Sequence, residues 1–501
     1  MALVTLGVVR GLGRLPSAWC PPRCLAALTT RHDKRHLTPP TMARQASTGT
    51  NKTKIELYYD VTSPFSWYAF EVLHRYKSHW DVDLHLKPVL LADIIKTIGT
   101  TPEMLRPKNP AYHLEDIRRC ARYFNVPLRL EDKTYETVTG KDSLPPNLFL
   151  TAVDLLYPGL LEQASRELWM SAWSKHEDIT SDEVLAAVGL AAGLTPEAVA
   201  EVKEHTSQPA TKQRLEANTK ELIELRAFGV PTIFTHTKKK PSMFFGSDRF
   251  HLIARDIGQT WKGPEPDAAP AKLASPAGEK KKVVLYYDVI SPYAWFGFEV
   301  LTRYQAHWNI DLHLKPVLLM GVGKAAGTIA PAMKPNRAPY MTKDLIRTAA
   351  HYNVPLKMPE DVFQMMFVKG SLIPSRFLTA ISLLHPSHLE EASRQLWLAV
   401  WGRDEDITTD EVLTAAGLAA GLTPEAIAEA KEHAIQPAIK EQLRAHTAEA
   451  AKHGAFGVPT ILACVGEKPS LYFGSDRFPL LAQELNEPWL GPEPGALNAR
   501  L

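Results

Sequence analysis

Residues 58–266 recur as residues 286–494 at a constant offset of 228, without a gap. The register sets Ser63 against Ser291, Trp80 against Trp308, Pro88 against Pro316, Trp173 against Trp401, Pro231 against Pro459 and Asp248 against Asp476. A repeat of this length is several times the period of solenoids and propellers, so each copy is a whole domain with its own core. A residue changed in one copy and kept in the other is therefore an internal substitution experiment.

The 501 residues, 45% hydrophobic and 22% charged, suit two ordinary globular domains of about 210 residues each. No apolar run approaches the roughly 18 residues of a membrane-spanning helix. The first fifty residues differ from the rest: Arg10, Arg14, Arg23, Arg31, Lys34, Arg35 and Arg44 face the single acid Asp33, whereas the remaining chain holds slightly more acids than bases. That body lacks the basic face a nucleic-acid binder needs. The leader MALVTLGVVRGLGRL reads as a mitochondrial presequence, with a basic tail as the bland alternative. The closing Ala499-Arg500-Leu501 is of the small-basic-Leu peroxisomal type. Mitochondrial matrix and peroxisome are thus both expected locations. Cys20 and Cys24 fall in the leader, and Cys120 and Cys464 belong to different copies, so neither copy can build its own disulfide. Residues 267–282, rich in Ala, Pro and Lys, form a linker. The expected organisation is a targeting segment 1–50, a first domain 54–266, the linker, and a second domain 283–501.

Each copy opens with a β-branched and aromatic run, Ile55 to Tyr59 or Val283 to Tyr287, followed by Asp-Val-x-Ser-Pro and an amphipathic helix. A second strand is expected over Val82 to Leu90 and Ile310 to Leu318. Helical signals then run to about residue 225 (453), with Thr180/Glu183 and Thr408/Glu411 spaced as capping boxes and Thr195-Pro196 and Thr423-Pro424 as helix starts. Phe-Gly-Val-Pro-Thr-Ile, a short strand at Ser242 to Phe245 and Gly-Ser-Asp-Arg before a last helix close the copy. A β-α-β start, an all-helical insertion and a β-β-α end predict an α/β, thioredoxin-like fold with an inserted helical domain, present twice in tandem.

Three constellations can carry chemistry. Ser63-Pro64-Phe65-Ser66 and Ser291-Pro292-Tyr293-Ala294 stand at the first helix start, where serine before proline is an ordinary N-cap. In a thioredoxin-type fold this turn is the place of a Cys-x-x-Cys dithiol, and its helix N-terminus offers N–H groups to an anion. None of the four positions is cysteine in either copy, which excludes thiol–disulfide exchange by the protein itself; a reacting thiol must arrive with the ligand. A hydroxyl donating to that thiolate contributes roughly 1.5–3 kcal/mol, enough to draw a thiol pKa of about 8.5 towards neutrality. Ser66 opposes Ala294, so the second hydroxyl looks dispensable.

The second constellation is Phe228-Gly229-Val230-Pro231 with Phe456-Gly457-Val458-Pro459, a candidate cis-proline loop whose backbone can pair with a peptide-like ligand; a plain tight turn is the alternative. The third is Gly246-Ser247-Asp248 with Gly474-Ser475-Asp476, either a helix cap or a corner in which Ser binds an α-carboxylate and Asp an α-ammonium. The histidines show no ligand spacing, and no metal is expected.

With these motifs in view the chain resembles the kappa class of glutathione transferases, relatives of DsbA-type oxidoreductases and of hydroxychromene-carboxylate isomerases. The resemblance covers both copies almost end to end and rests on YYDVTSPFSW and YYDVISPYAW, ASRELWMSAWSKHEDIT and ASRQLWLAVWGRDEDIT, FGVPTI twice, FGSDRF twice and GPEPGALNARL. It implies that Ser63 and Ser291 activate the glutathione thiol, within turns carrying Pro64, Phe65, Pro292 and Tyr293. It likewise implies that Val230 and Val458, before Pro231 and Pro459, pair with the peptide backbone, and that Ser247, Asp248, Ser475 and Asp476 hold the γ-glutamyl end. An aspartate of the neighbouring subunit reaches the γ-glutamyl amine in that family, and Asp116 and Asp344 match it. Where the family carries Asn, both copies carry Thr, at Thr100 and Thr328, which lacks the amide's separate donor and acceptor.

The resemblance implies a glutathione transferase acting on small electrophiles and lipid hydroperoxides, with glutathione as co-substrate. A glutathione-dependent isomerase of the hydroxychromene-carboxylate type and a non-catalytic tandem binding or chaperone-like module are the alternatives. Because the family works as a homodimer, the two linked copies are expected to close into an intramolecular pseudo-dimer.

Overall fold

The computed structural model describes residues 52–99, 110–131, 133–238, 240–268, 278–328 and 337–496. The leader, Thr100, most of the linker and the terminal Ala-Arg-Leu lie outside them. In copy one, β1 (Thr53–Tyr59), α1 (Pro64–Tyr76) and β2 (Val82–Pro88) are followed by α2 (Leu91–Ile98), α3 (Pro110–Tyr123), α4 (Thr134–Thr139), α5 (Leu144–Leu156), α6 (Leu161–Trp169), α7 (Asp182–Ala191), α8 (Pro196–Thr206) and α9 (Pro209–Glu224). The chain then returns to β3 (Thr232–His236), β4 (Ser242–Phe245) and α10 (Phe250–Asp256). Copy two repeats the order with β5 (Lys281–Tyr287), α11 (Pro292–Tyr304), β6 (Ile310–Pro316), α12 (Leu319–Ala326), α13 (Ala338–Tyr352), α14 (Leu372–Leu384), α15 (Leu389–Trp397), α16 (Asp410–Ala419), α17 (Pro424–Ala434), α18 (Pro437–Lys452), β7 (Thr460–Cys464), β8 (Ser470–Phe473) and α19 (Phe478–Glu484). In place of α4 it has a wide helical turn, Gln364–Lys369.

Each copy holds a four-stranded sheet, in the orders β2-β1-β3-β4 and β6-β5-β7-β8. β1 runs parallel to β2 with Leu57 opposite Leu86, and antiparallel to β3 with Leu57 opposite Ile233. This is the expected thioredoxin-like core with its helical insertion. The insertion is fastened by a repeated bond: Tyr59 Oη lies 2.7 Å from Ser165 Oγ, and Tyr287 Oη 2.6 Å from Ser393 Oγ. Arg166 Nε adds a 3.0 Å bond to Glu71 on α1, and Arg394 Nε the same to Glu299. Trp67, Trp169 and Trp173 and their repeats Trp295, Trp397 and Trp401 fill the space between sheet and insertion.

Two local expectations are corrected. The caps of α7 and α16 are Ser181 and Thr409, which accept from the Val184 and Val412 amides, one residue after the expected Thr180 and Thr408. Thr180 and Thr408 instead donate to Asp178 and Asp406 in the preceding turn, where a side-chain bond back to a nearby carboxylate competes with capping. The linker also ends early, since Lys281 and Lys282 already pair with Ile310 and Asp311. Thr195 and Thr423 cap α8 and α17 as expected.

Residues 52–501 form one compact unit. A sheet edge is a row of unpaired N–H and C=O groups that has to be covered, and here each copy covers the other's. Tyr340 Oη of α13 accepts from the Phe245 amide on β4 at 3.1 Å, and Arg347 donates to the Met243 carbonyl at 3.0 Å. Reciprocally, Tyr112 Oη of α3 accepts from the Phe473 amide on β8 at 3.2 Å, and Arg119 donates to the Leu471 carbonyl at 2.6 Å.

Candidate functional site

The first helix start is built from a buried carboxylate. Asp60, at the end of β1, accepts from the Thr62 amide and hydroxyl, from the Leu91 amide at 2.9 Å and from Ser143 Oγ at 2.9 Å, so the N-termini of α1, α2 and α5 converge on it. Asp288 repeats this with Ile290, Leu319 and Ser371. Burial pushes both carboxyls up, against these hydrogen bonds. The Asp60 carbonyl accepts from the Ser63 amide at 3.0 Å, which sets the serine with extended backbone just before Pro64.

Ser63 Oγ accepts from the Ser66 amide, and Ser291 Oγ from the Ala294 amide, both at 3.2 Å. The serines are thus N-caps. A capping oxygen accepts through a lone pair and leaves its own proton to donate. In copy two that proton points to the Val458 carbonyl at 3.4 Å, so the first two constellations meet there. Both Val230-Pro231 and Val458-Pro459 are cis.

The proline loop in turn holds the third constellation. The Gly246 amide donates to the Pro231 carbonyl, and the Gly474 amide to the Pro459 carbonyl, at 3.0 Å. Gly246 and Gly474 sit at φ +93° and +92°, and a Cβ on either would stand 3.0 Å from the Oδ1 of Asp248 or Asp476. Only glycine lets the chain fold back here. Thr328 Oγ1 donates to the Phe456 carbonyl at 3.0 Å and so braces the proline loop of copy two; Thr100 is outside the described residues.

Asp248 does not cap α10, whose cap residue Arg249 makes no side-chain cap bond. It belongs to a partly buried cluster spanning the two copies, in which Asp116 and Asp344 are the buried members. Arg249 Nη1 lies 2.8 Å from Asp248 and 2.8 Å from Asp476, while Arg477 Nη1 lies 2.6 Å from Asp248 and 3.1 Å from Asp476. Arg249 also meets Asp344 of α13 through Nε (3.2 Å) and Nη2 (3.3 Å), and Arg477 meets Asp116 of α3 at 2.9 and 3.1 Å. Each aspartate therefore stands at the other copy's Ser-Asp corner. Tyr293 Oη donates to Asp344 at 3.1 Å; Phe65, its counterpart, has no hydroxyl to offer Asp116. Burial raises Asp248, with Asp476 adding to the effect, whereas Asp476, despite its burial, is held well below the usual carboxylate range by Arg477 and Arg249.

Sequence reasoning named the serines, the Val-Pro loops, the Ser-Asp corners and Asp116 and Asp344. It missed Asp60, Asp288, Arg249, Arg477, Tyr112 and Tyr340. Tyr-Tyr-Asp and Ser-Asp-Arg, each present twice, were the available signals.

The model of the DSBA-like thioredoxin domain matches the chain twice, over residues 54–258 and 282–486. Glutathione S-transferase kappa 1 of Homo sapiens is 46% identical over 221 residues, an alignment covering 98% of that protein and 44% of this chain. Glutathione S-transferase kappa 2 of Caenorhabditis elegans is 33% identical over 216 residues, covering 95% of it and 42% of this chain. Among solved structures, a 2-hydroxychromene-2-carboxylate isomerase is 19% identical with a TM-score of 0.34, over 94% of its chain and 41% of this one. The chain belongs to the DSBA-like thioredoxin family and, within it, to the kappa-class glutathione transferases, as a tandem duplication.

Proposed function

We propose that the chain is a glutathione transferase with one site in each copy, nucleated at Ser63 and Ser291. The observation that carries this reading is the capping geometry: each serine oxygen spends a lone pair on a helix amide, and its hydroxyl proton, which in copy two points to the Val458 carbonyl over 3.4 Å, turns to an incoming thiolate. A hydrogen bond to a charged sulfur together with the helix N-terminus favours the thiolate. The thiolate then forms a bond to an electrophilic carbon, and the displaced pair leaves with a halide or moves into a conjugated system that takes a proton from water. With a lipid hydroperoxide, sulfur takes the terminal oxygen, releasing an alcohol, and a second glutathione converts the sulfenic acid to disulfide and water.

Val230 and Val458 supply backbone to the glutathione peptide, and Ser247, Asp248, Ser475 and Asp476 take its γ-glutamyl end. The copies work as an intramolecular pseudo-dimer, in which Asp344 serves the Ser63 site and Asp116 the Ser291 site. The Arg249–Asp344 and Arg477–Asp116 ion pairs support that assignment. The leader and the terminal Ala-Arg-Leu direct the protein to mitochondria and peroxisomes.

The test is the pH dependence of glutathione thiolate absorbance on the protein. Ser63→Ala with Ser291→Ala returns the bound thiol to its solution pKa, and each single variant keeps about half the thiolate signal. An unchanged bound-thiol pKa in the double variant would refute the serine assignment, and absent glutathione binding by the unaltered chain would refute the transferase reading.

A further inference from the structure

The copies differ in secondary structure at the segment that leads into α5 and α14. Copy one has α4, in which Tyr135 is buried to 8% exposure and its ring lies 6.1 Å from that of Trp173. Copy two has the wide turn Gln364–Lys369, and the opposing Phe363 is 63% exposed, its ring 5.3 Å from Phe367. Val368, opposite Gly140, is 60% exposed; Met320, opposite Ala92, is 61% exposed; and Ile373, opposite Pro145, is 47% exposed.

The elements that carry these side chains are tied to one place. Asp288 Oδ2 accepts from Ser371 Oγ at 2.7 Å and from the Leu319 amide at 2.8 Å, while its carbonyl accepts from the Ser291 amide at 2.9 Å. Met320 and Ile373 thus sit in the first turns of two helices whose N-termini meet beside Ser291, and the turn bearing Phe363 and Val368 runs directly into Ser371. Exposed apolar groups carried by elements that converge on one spot mark a place where something apolar is bound. At Ser63 the same framework, with Ser143 on Asp60, shares the exposed leucine (Leu144 there, Leu372 in copy two) but presents Gly140, Ala92 and Pro145 in place of Val368, Met320 and Ile373, and buries Tyr135 in place of Phe363.

Building on the transferase reading, we propose that the copies divide the second substrate by polarity. The Ser291 site takes electrophiles with a long alkyl body, such as long-chain conjugated alkenals, whereas the Ser63 site takes compact ones. In the reaction sulfur bonds to the β carbon, the alkene pair moves to the enolate, and the α carbon takes a proton from water; nothing leaves. Phe363, Val368, Met320 and Ile373 determine specificity by covering the tail.

The test uses the full chain with one serine intact, as Ser63→Ala or as Ser291→Ala, and glutathione with crotonaldehyde or trans-dodecenal. Each methylene drawn from water adds severalfold to binding, so the dodecenal-to-crotonaldehyde ratio of kcat/KM should be at least about tenfold higher in the Ser63→Ala protein. Adding Phe363→Ser and Val368→Gly to that protein should lower its ratio towards that of the Ser291→Ala protein. Equal ratios in the two single-serine proteins overturn the proposal, as does a ratio unmoved by the rim variant. Equal ratios together with binding of the unaltered chain to phosphatidylcholine vesicles would assign the rim to a lipid surface. Glutathione titration separates the two levels: binding with equal ratios sinks only this inference, whereas no binding by any variant sinks the transferase reading with it.

Discussion

At the residue scale, the site depends on small features with strict local reasons. Gly246 holds a positive φ with Asp248 against its missing Cβ, so Gly246→Ala should cost about 1–3 kcal/mol. It should also weaken glutathione binding by moving the corner. An unchanged urea midpoint and an unchanged glutathione Kd would contradict the role given to this turn. Asp60→Ala strips a partner from the buried Ser143 hydroxyl and the Leu91 amide; the expected loss is about 1–3 kcal/mol in a denaturant titration. The serines, Val-Pro and Gly-Ser-Asp were legible in the sequence because each is a local signature repeated at a fixed offset. Arg477 was not, because the carboxylate it grips, Asp116, lies 361 residues away and no nearby pattern announces the pair.

At the scale of elements, the contact between α10 and α13 carries a pH signature. The rings of His251 and His351 lie 4.2 Å apart. Burial, the neighbouring imidazole and Arg249 hold His251 well below its ordinary value, and burial with Arg255 and Arg249 draws His351 down to about 4; Asp476 is the acid opposing this for His251. Both rings are neutral when folded and take up protons more readily when unfolded. Their contribution is therefore complete above the unfolded value of 6.5 and is lost as pH falls from there towards about 4. The urea midpoint should fall over that window, and His351→Tyr, which installs the copy-one residue at the position of Tyr123, should flatten the fall. A pH-independent midpoint would contradict the neutral-pair reading. Strand positions and the Thr195 and Thr423 caps were legible from propensity and proline placement. The α7 cap was misplaced by one residue because Thr180 and Ser181 are adjacent hydroxyls, and which one caps depends on whether Asp178 claims its neighbour. Ser181→Ala should accordingly cost about 1 kcal/mol of stability, measured by denaturant titration.

At the scale of the whole molecule, the two copies meet through reciprocal helix-on-edge contacts and the Asp–Arg cluster. Among variants whose only intact serine is Ser63, Asp344→Ala should raise the glutathione Kd about tenfold or more, as loss of one charged hydrogen-bond partner does. Asp116→Ala should leave that site nearer its starting affinity; the opposite order would mean that each copy supplies its own aspartate. Light scattering should report a single chain of 55.7 kDa, and a doubled mass would place the partner on another molecule. The duplication was plain in the sequence, but the pairing of α13 with β4 and α3 with β8 was not, since edge contacts leave no periodicity. A two-fold homodimer must carry every interface substitution twice. Here the close pair His251–His351 occupies one half of the contact, while the matching positions in the other half are Pro479 and Tyr123. Joining the copies frees each half of the seam to change without the other, so one protein can hold two different versions of a contact that a homodimer would have to keep identical.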